Sequence, residues 1–290
     1  MSFVGKTASV FGVVGLSAIA TLGVVESAEA GTVVLGSDYW VTKDSSSFNF
    51  PGFGSVDFVG NPIGEFNGNK VGNADTIVER TQDCIFDDNG SCDTGIKVVA
   101  LSLKSKNPVN GFDIFVNLNE NEELPIGTLT IKEDKTFTSN FTVNFTATFK
   151  NAGEEEAVDC QGDNCNLPAN FGTNSGVWSP IFPGGPKVEG KVGDQAANVH
   201  TDLTDDQMDF FAGVKEIVDD NGNPVLDENG DPKIEIVVIE HDASGAGHHD
   251  VSPAENVPEP LTILGSATAL GFGALLKKQS SRKRNKKDVS

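Results

Sequence analysis

The chain has 290 residues and a formal net charge of −21, from 42 Asp and Glu against 21 Lys and Arg. Seven of the basic residues fall within positions 277–290, so the rest of the chain is more acidic still. Such a surface repels phosphate and argues against nucleic-acid binding. It is typical of a well-solvated exported protein, and it would also suit divalent cations or basic partners.

Residues 1–30 have the pattern of a secretory signal peptide. Lys6 precedes an apolar run over about 8–25, and Ala28 and Ala30 match the small residues of an A-x-A cleavage site. We expect cleavage after Ala30 and an oxidising destination. Because the apolar run is longer than a minimal signal core, a retained N-terminal anchor is the alternative.

Residues 31–241 are predicted to form a single β-rich ectodomain. Apolar and polar residues alternate with period two over 141–149, as in a strand with one buried face. Further strands are predicted at 96–103, 112–118, 129–131 and, as a central strand, 234–239. Many short strands and little helical spacing predict an all-β fold, an antiparallel sandwich of jelly-roll type.

Within the predicted ectodomain few stretches show helical spacing. Over 204–211, Thr204 and Gln207 have the spacing of a capping box, which predicts at most one helical turn.

Four cysteines allow three disulfide pairings. Cys84 and Cys92 flank one short polar loop, and Cys160 and Cys165 flank another. We predict these two local disulfides, each worth roughly 2–3 kcal/mol through restriction of the unfolded chain. No histidines or second cysteine pairs stand at the spacing of a structural zinc site.

One loop has side-chain oxygens at the spacing that calcium prefers. Asp219, Asn221, Asn223 and Asp227 occupy positions 1, 3, 5 and 9. Pro224 and Gly230 stand where an EF-hand needs Gly and Glu, so that pattern fails. Two tight Asn-Gly turns between strands are the preferred interpretation, with Ca²⁺ as the alternative and no other cofactor expected.

Two sets of histidines and carboxylates invite a catalytic or metal-binding hypothesis. The alternatives are an exposed acidic loop and a stalk that lacks supporting residues. The first set is His200, Asp202, Asp205, Asp206 and Asp209; the second is His241, His248, His249 and Asp250.

The sequence also lacks the usual marks of an enzyme or a sugar-binding site. No Gly-x-Ser-x-Gly nucleophile elbow occurs, so no catalytic residue is predicted. Aromatic residues that could stack on sugars are few: Tyr39, Trp40 and Trp178.

The C-terminal segment organises the rest of the chain. Residues 242–256 are small, polar and Pro-containing, and predict a flexible stalk. Val257-Pro258-Glu259-Pro260 then precedes the uncharged residues 261–276 and the basic residues 277–290. Sixteen residues make a helix about 24 Å long, short for a bilayer core of about 30 Å. The basic end predicts a single membrane span with a cytoplasmic tail.

Residues 257–287 closely resemble the PEP-CTERM sorting segment of Gram-negative bacteria. The resemblance implies recognition of Val257, Pro258, Glu259 and Pro260 by an exosortase, a membrane protease that releases or transfers its substrates. Pro258 and Pro260 favour an extended chain, which would present Glu259 to such an enzyme.

Taken together, the sequence predicts an exported protein of the cell envelope or extracellular matrix. It would be membrane-anchored through 261–276, or released after processing of the tail, with polysaccharide as a conceivable partner. The alternative is a secreted carbohydrate-binding or hydrolytic β-sandwich.

Overall fold

The structure is a computed structural model that describes residues 31–50, 52–158, 165–181, 204, 206–228, 230, 232–244 and 247–254. The predicted signal peptide, 1–30, and the predicted sorting segment, 257–290, lie outside the described residues. No helix among the described residues is long and apolar enough to cross a membrane.

About 64% of the described residues lie in strands, and none lies in an α-helix. The strands are β1 (Thr32–Val33), β2 (Gly36–Thr42), β3 (Ser47–Phe50), β4 (Gly54–Gly60), β5 (Glu65–Phe66), β6 (Asn69–Lys70), β7 (Thr76–Arg80), β8 (Cys84–Ile85), β9 (Ser91–Ser105), β10 (Phe112–Leu118), β11 (Gly127–Lys132), β12 (Thr136–Asn151), β13 (Ala157–Val158), β14 (Asn166–Ile181), β15 (Gln207–Ala212), β16 (Val214–Glu216), β17 (Ile234–Ile236), β18 (Ile239–Ala243) and β19 (Gly247–Pro253).

The main sheet closes on itself. Antiparallel pairings run from β9 through β11, β12, β14, β18, β19, β3 and β4, and β4 returns to β9. Strands β2 and β7 form a second connection between β19 and β9. The predicted all-β, antiparallel fold is therefore confirmed, but the eight strands form a closed barrel and not clearly the two stacked sheets of the predicted sandwich.

The seam between β12 and β14 completes this closure. Its register runs from Thr136 opposite Val177 to Thr146 opposite Asn166. Between Phe137 and Ser139 the register shifts, because β12 advances by two residues while β14 advances by three. This bulge locally bends the seam, as an extra residue in one strand of an antiparallel pair does.

Phenylalanine fills much of the interior. Phe48 lies 5.4 Å from Phe58 and 5.7 Å from Phe171 between ring centroids, both in edge-on geometry. The ring of Phe137 packs directly on Gly176, where a Cβ would lie 2.3 Å from a ring carbon. Alternation along β12 places Phe137, Phe141 and Phe145 in this interior, and the strand predicted over 141–149 is confirmed.

A buried ion cluster links three strands. The Arg80 guanidinium at the end of β7 lies 2.5 Å from Asp38 Oδ2 on β2 and 2.9 Å from Asp209 Oδ1 on β15. Its Nε donates to the Val34 carbonyl oxygen at 3.1 Å, and its Cζ lies 5.2 Å from the centre of the Phe210 ring. All three charged side chains are at most 2% exposed.

Several local predictions need correction. The predicted flexible stalk, 242–256, is largely sheet: it contributes the end of β18 and all of β19, and Ala254 is only 2% exposed. The stretch 234–239 is not one central strand. β17 ends at Ile236, which is 41% exposed, and within the described part of the chain β17 pairs with β16 alone.

The predicted helical turn at 204–211 is also wrong, because Gln207 begins β15. The predicted capping contact forms nonetheless, since the Thr204 N–H donates to Gln207 Oε1 at 2.9 Å. Strands predicted around 96–103, 112–118, 129–131 and 141–149 are confirmed as β9, β10, β11 and β12.

Replacing Arg80 by Met is expected to lower the free energy of unfolding by about 3–5 kcal/mol, because two buried carboxylates lose their cation. The matched control is Glu79→Ala on the same strand, which removes a half-exposed ion pair with Lys97 at 3.0 Å and should cost less than about 1 kcal/mol. Urea unfolding of both variants measures the difference. Equal losses would mean that the Arg80 cluster does not hold the fold.

Candidate functional site

The structure bears on only some of the residues singled out from the sequence. The sorting motif Val257-Pro258-Glu259-Pro260 lies outside the described residues, as do His200, Asp202 and Asp205. Cys84 and Cys92 form the predicted disulfide, with their Cα atoms 5.5 Å apart. Cys165 is also disulfide-bonded, but Cys160 lies outside the described residues, so that pairing stays a prediction.

The proposed calcium loop is a tight turn built around one carboxylate. Asp219 Oδ1 accepts hydrogen bonds from the backbone N–H groups of Asn221 and Asn223, both at 2.9 Å. These bonds hold the pKa of Asp219 below its usual value. Among the described residues, no group of three or more His, Cys, Asp or Glu side chains could hold a metal ion. The geometry therefore favours the turn over the calcium site.

This turn belongs to a tandem repeat of eight residues that the sequence analysis missed. Residues 219–226 read DDNGNPVL and residues 227–234 read DENGDPKI. In each copy the glycine N–H donates to the carbonyl oxygen of the first aspartate, at 2.9 Å for Gly222 and 3.2 Å for Gly230. Both glycines have positive φ, 82° and 91°, which explains why the Asn-Gly step recurs.

The histidines predicted near a stalk lie instead on neighbouring strands of the closed sheet. His241 on β18 pairs directly with His249 on β19. Both are buried, with 0% and 5% of their surface exposed. His241 lies between Trp40 and Phe141, with ring centroids 5.3 Å and 5.5 Å away. A side chain so enclosed is not available to a substrate as a general base.

Asp75, which the sequence analysis missed, organises the polar interior beside these histidines. Its carboxylate accepts hydrogen bonds from the Thr42 N–H at 2.8 Å, the Thr42 hydroxyl at 2.7 Å and the Thr76 hydroxyl at 2.8 Å. Because the Thr42 hydroxyl donates to Asp75, it accepts from His249 Nε2, 2.9 Å away, which fixes the tautomer of that histidine. Gly60 makes room, since a Cβ there would lie 1.8 Å from Asp75 Oδ2.

Burial shifts the pKa values of all three ionisable groups in this interior. It raises the pKa of Asp75 to about 6, although the hydrogen bonds from Thr42 and Thr76 oppose the shift. It lowers the pKa of His241 to about 3, with a further contribution from His249, and that of His249 to about 4. At neutral pH the interior therefore holds one hydrogen-bonded carboxylate and two neutral imidazoles.

The acidic residues predicted beside His200 differ in burial. Asp209 is fully buried in the Arg80 cluster and not in an exposed loop. Asp206 lies on the surface, where the Thr204 hydroxyl donates to it at 2.6 Å and helps to lower its pKa. Trp40 and Trp178 are 4% and 2% exposed, so they form no exposed aromatic strip with Tyr39.

A polar cleft of about 390 Å³ lies on the outer face of the seam between β12 and β14. Its centre is a row of residues paired across four adjacent strands: Thr128 on β11, Asn140 on β12, Gly172 on β14 and Asp242 on β18. Because Gly172 has no side chain, a gap opens between Asn140 and Asp242. The rest of the lining is Thr138, Ser139, Asn170, Phe171, Thr173, Asn174 and Ser244.

Asp242 is the single charged residue in this lining. Among the described residues, no side-chain hydrogen bond occupies Thr128, Thr138, Asn140, Asn174 or Asp242, and all five are at least partly exposed. Sequence reasoning missed these residues, although every second residue of 136–148 is Thr or Asn, a pattern visible in the chain.

Comparison with family models, with curated proteins and with solved structures gives no match to this chain.

Replacing His241 by Leu is expected to flatten the acid loss of stability. In the folded state both histidines bind protons only well below pH 6.5, whereas the unfolded chain binds them near 6.5, so their contribution is full above pH 6.5 and is lost as the pH falls toward 4. Asp75 acts in the opposite direction, because its raised pKa lowers stability as the pH rises from about 4 to 6. Because two histidines lose stability on acidification and one carboxylate gains it, the net effect of these groups is a loss of stability as the pH falls.

As the pH falls from 6.5 to 4, the free energy of unfolding should therefore fall less in the variant than in the parent protein. At pH 7 the variant should be at least as stable as the parent, because both His241 ring nitrogens lack a hydrogen-bond partner among the described residues. Chemical unfolding at pH 7 and pH 5 measures this. Phe141→Leu changes a neighbouring ring that has no titrating group, so it should lower the free energy of unfolding by the same amount at both pH values. A constant difference for His241→Leu would show that this histidine does not titrate as the geometry indicates.

Proposed function

We propose that this chain is an exported, non-enzymatic protein of the cell envelope or extracellular matrix, addressed by a C-terminal signal of the PEP-CTERM type. The observation that carries the proposal is the order of three elements at 257–287: a Pro-Glu-Pro tripeptide, an uncharged run and seven basic residues. The order fits a substrate that an exosortase would recognise at the membrane surface. Residues 1–30 would direct export, and 261–276 would anchor the chain until processing.

The disulfide between Cys84 and Cys92 supports export. Disulfides form and persist mainly in secreted and periplasmic proteins, and are rare in reducing compartments. The two cysteines flank a turn in which Asp87 Oδ1 accepts from the backbone N–H groups of Asn89 and Ser91, at 2.9 and 3.1 Å. A closed sheet with a surface loop closed by a disulfide suits a protein exposed outside the cell.

Burial of His241 and His249 supports the non-enzymatic half of the proposal, although His248 is only half-buried. His241 and His249 offer no base to a substrate, and Asp209 is occupied by Arg80. The alternative of a hydrolytic domain finds no support in these residues. Carbohydrate binding by stacking on Trp40 or Trp178 finds none either, because both rings are buried.

Changing Glu259 to Ala in the producing organism should block processing, because the residue between the two prolines is the one that an extended recognition segment would present. Fractionation should find the parent protein processed and outside the cell, and the variant retained in the membrane at its unprocessed mass. Glu255→Ala, four residues upstream, is the matched control and should behave as the parent protein does. Identical processing and location of Glu259→Ala and the parent would overturn the sorting proposal.

A further inference from the structure

We propose that the cleft over the β12–β14 seam binds a neutral polysaccharide. This inference goes beyond the proposed sorting and concerns what the exported domain contacts. It does not depend on the C-terminal segment, because all of its residues belong to the closed sheet.

The shape of the cleft follows from the register. Thr128, Asn140, Gly172 and Asp242 lie side by side on consecutive strands. Two strand spacings separate Asn140 from Asp242, roughly 9–10 Å, and Gly172 leaves the space between them open. The volume of about 390 Å³ lies within the range of small-molecule sites, about 300–1,000 Å³. A short stretch of a sugar chain fits such a space.

The chemistry of the lining matches hydroxyl groups. Thr128, Thr138, Asn140 and Asn174 each offer both a donor and an acceptor, and the two side-chain oxygens of Asp242 can accept from two neighbouring hydroxyls. These side chains are not engaged with one another. Further along the same face, by contrast, Thr142 donates to Asn170 at 2.5 Å. The gap at Gly172 is thus flanked by Asn140 and Asp242, whose side chains have no hydrogen-bond partner among the described residues.

Charge selects the class of glycan. The chain carries a net charge of −21, so a polyanionic polysaccharide would be repelled over the whole surface. The cleft itself is neutral except for Asp242, which would also repel a carboxylate or sulfate placed in the gap. A cationic ligand would be expected where several acidic side chains cluster, but the cleft lining contains one acidic residue, Asp242. Neutral sugars are the class that remains.

The bulge in the seam adds to the asymmetry of the cleft. Where β14 carries its extra residue, Asn174 and Ser175 both lie opposite Thr138, and both are exposed. Bulges re-aim side chains and recur beside binding sites. Here the bulge places the exposed Asn174 opposite Thr138, and both residues line the cleft.

The test uses the full chain, purified in mild detergent, in native affinity gels that contain a soluble polysaccharide. A mixed-linkage β-glucan, a galactomannan and a dextran are the neutral probes, and alginate at equal concentration is the anionic probe. We expect retardation in at least one neutral gel and none in alginate. Absence of retardation in all three neutral gels, or equal retardation in alginate, would overturn the proposal.

Two variants with matched controls locate the site. Gly172→Val fills the gap, since a Cβ there meets nothing closer than the Ser139 carbonyl oxygen at 3.2 Å, and should abolish retardation while the protein still folds. Asn140→Ala should weaken binding about fivefold, as expected for loss of one hydrogen bond.

Asn144→Val and Asn144→Ala change the same face of β12 outside the cleft and should bind as the parent protein does. If the Asn144 variants lose as much binding as the cleft variants, or if Gly172→Val binds normally, the cleft is not the site. Glu259→Ala should bind normally too, which separates failure of this proposal from failure of the sorting proposal.

Discussion

Closure of the main sheet is the constraint on which the rest of this structure depends. A sheet that ends in free strands exposes unpaired backbone N–H and C=O groups, and a closed sheet removes those edges. Here two routes of paired strands connect β19 to β9, one through β3 and β4 and the other through β2 and β7. Asp75 lies between the two routes. Its carboxylate accepts hydrogen bonds from Thr42 on β2 and Thr76 on β7, and it occupies the space left by Gly60 on β4.

The closed sheet separates two kinds of polar group. Inside, charge is tolerated only where partners are fixed, as in the cluster of Arg80 with Asp38 and Asp209, because a buried ion without a partner is costly. Outside, the seam between β12 and β14 presents Thr and Asn side chains. Thr142 bonds to Asn170 there, whereas Thr138, Asn140 and Asn174 in the cleft are not engaged with one another. Stability and recognition therefore draw on opposite faces of the same strands, so the outer face of β12 is open to functional use without a change in the core.

The sequence predicted what depends on local pattern. Period two along 141–149 and 112–118 identified β12 and β10, and the spacing of Cys84 and Cys92 identified their disulfide. It did not predict closure, because the pairing of β12 with β14 depends on contacts that no alternation of residues specifies. The antiparallel all-β fold was predicted correctly, but the eight strands form a closed barrel and not clearly the predicted sandwich.

Other errors arose where composition and burial disagree. Residues 242–256 have the small, polar composition of a linker, yet His249 and Val251 are buried in β19. Asp209 was expected in an exposed acidic loop, and only the fold brings it to Arg80 in the interior. The cleft was missed for the same reason: Thr128, Asn140 and Asp242 are 12 or more residues apart in the chain and meet only because three strand pairings align them.

Hydrogen exchange of the native protein, followed by mass spectrometry of fragments, tests the closed sheet most directly. Closure predicts that the amides along the β12–β14 seam exchange only through global unfolding, as slowly as those in the middle of β9. If the seam amides exchanged at a much lower free energy than β9, as amides at a free sheet edge do, then the sheet would be open there. The cleft that depends on the paired strands would not exist.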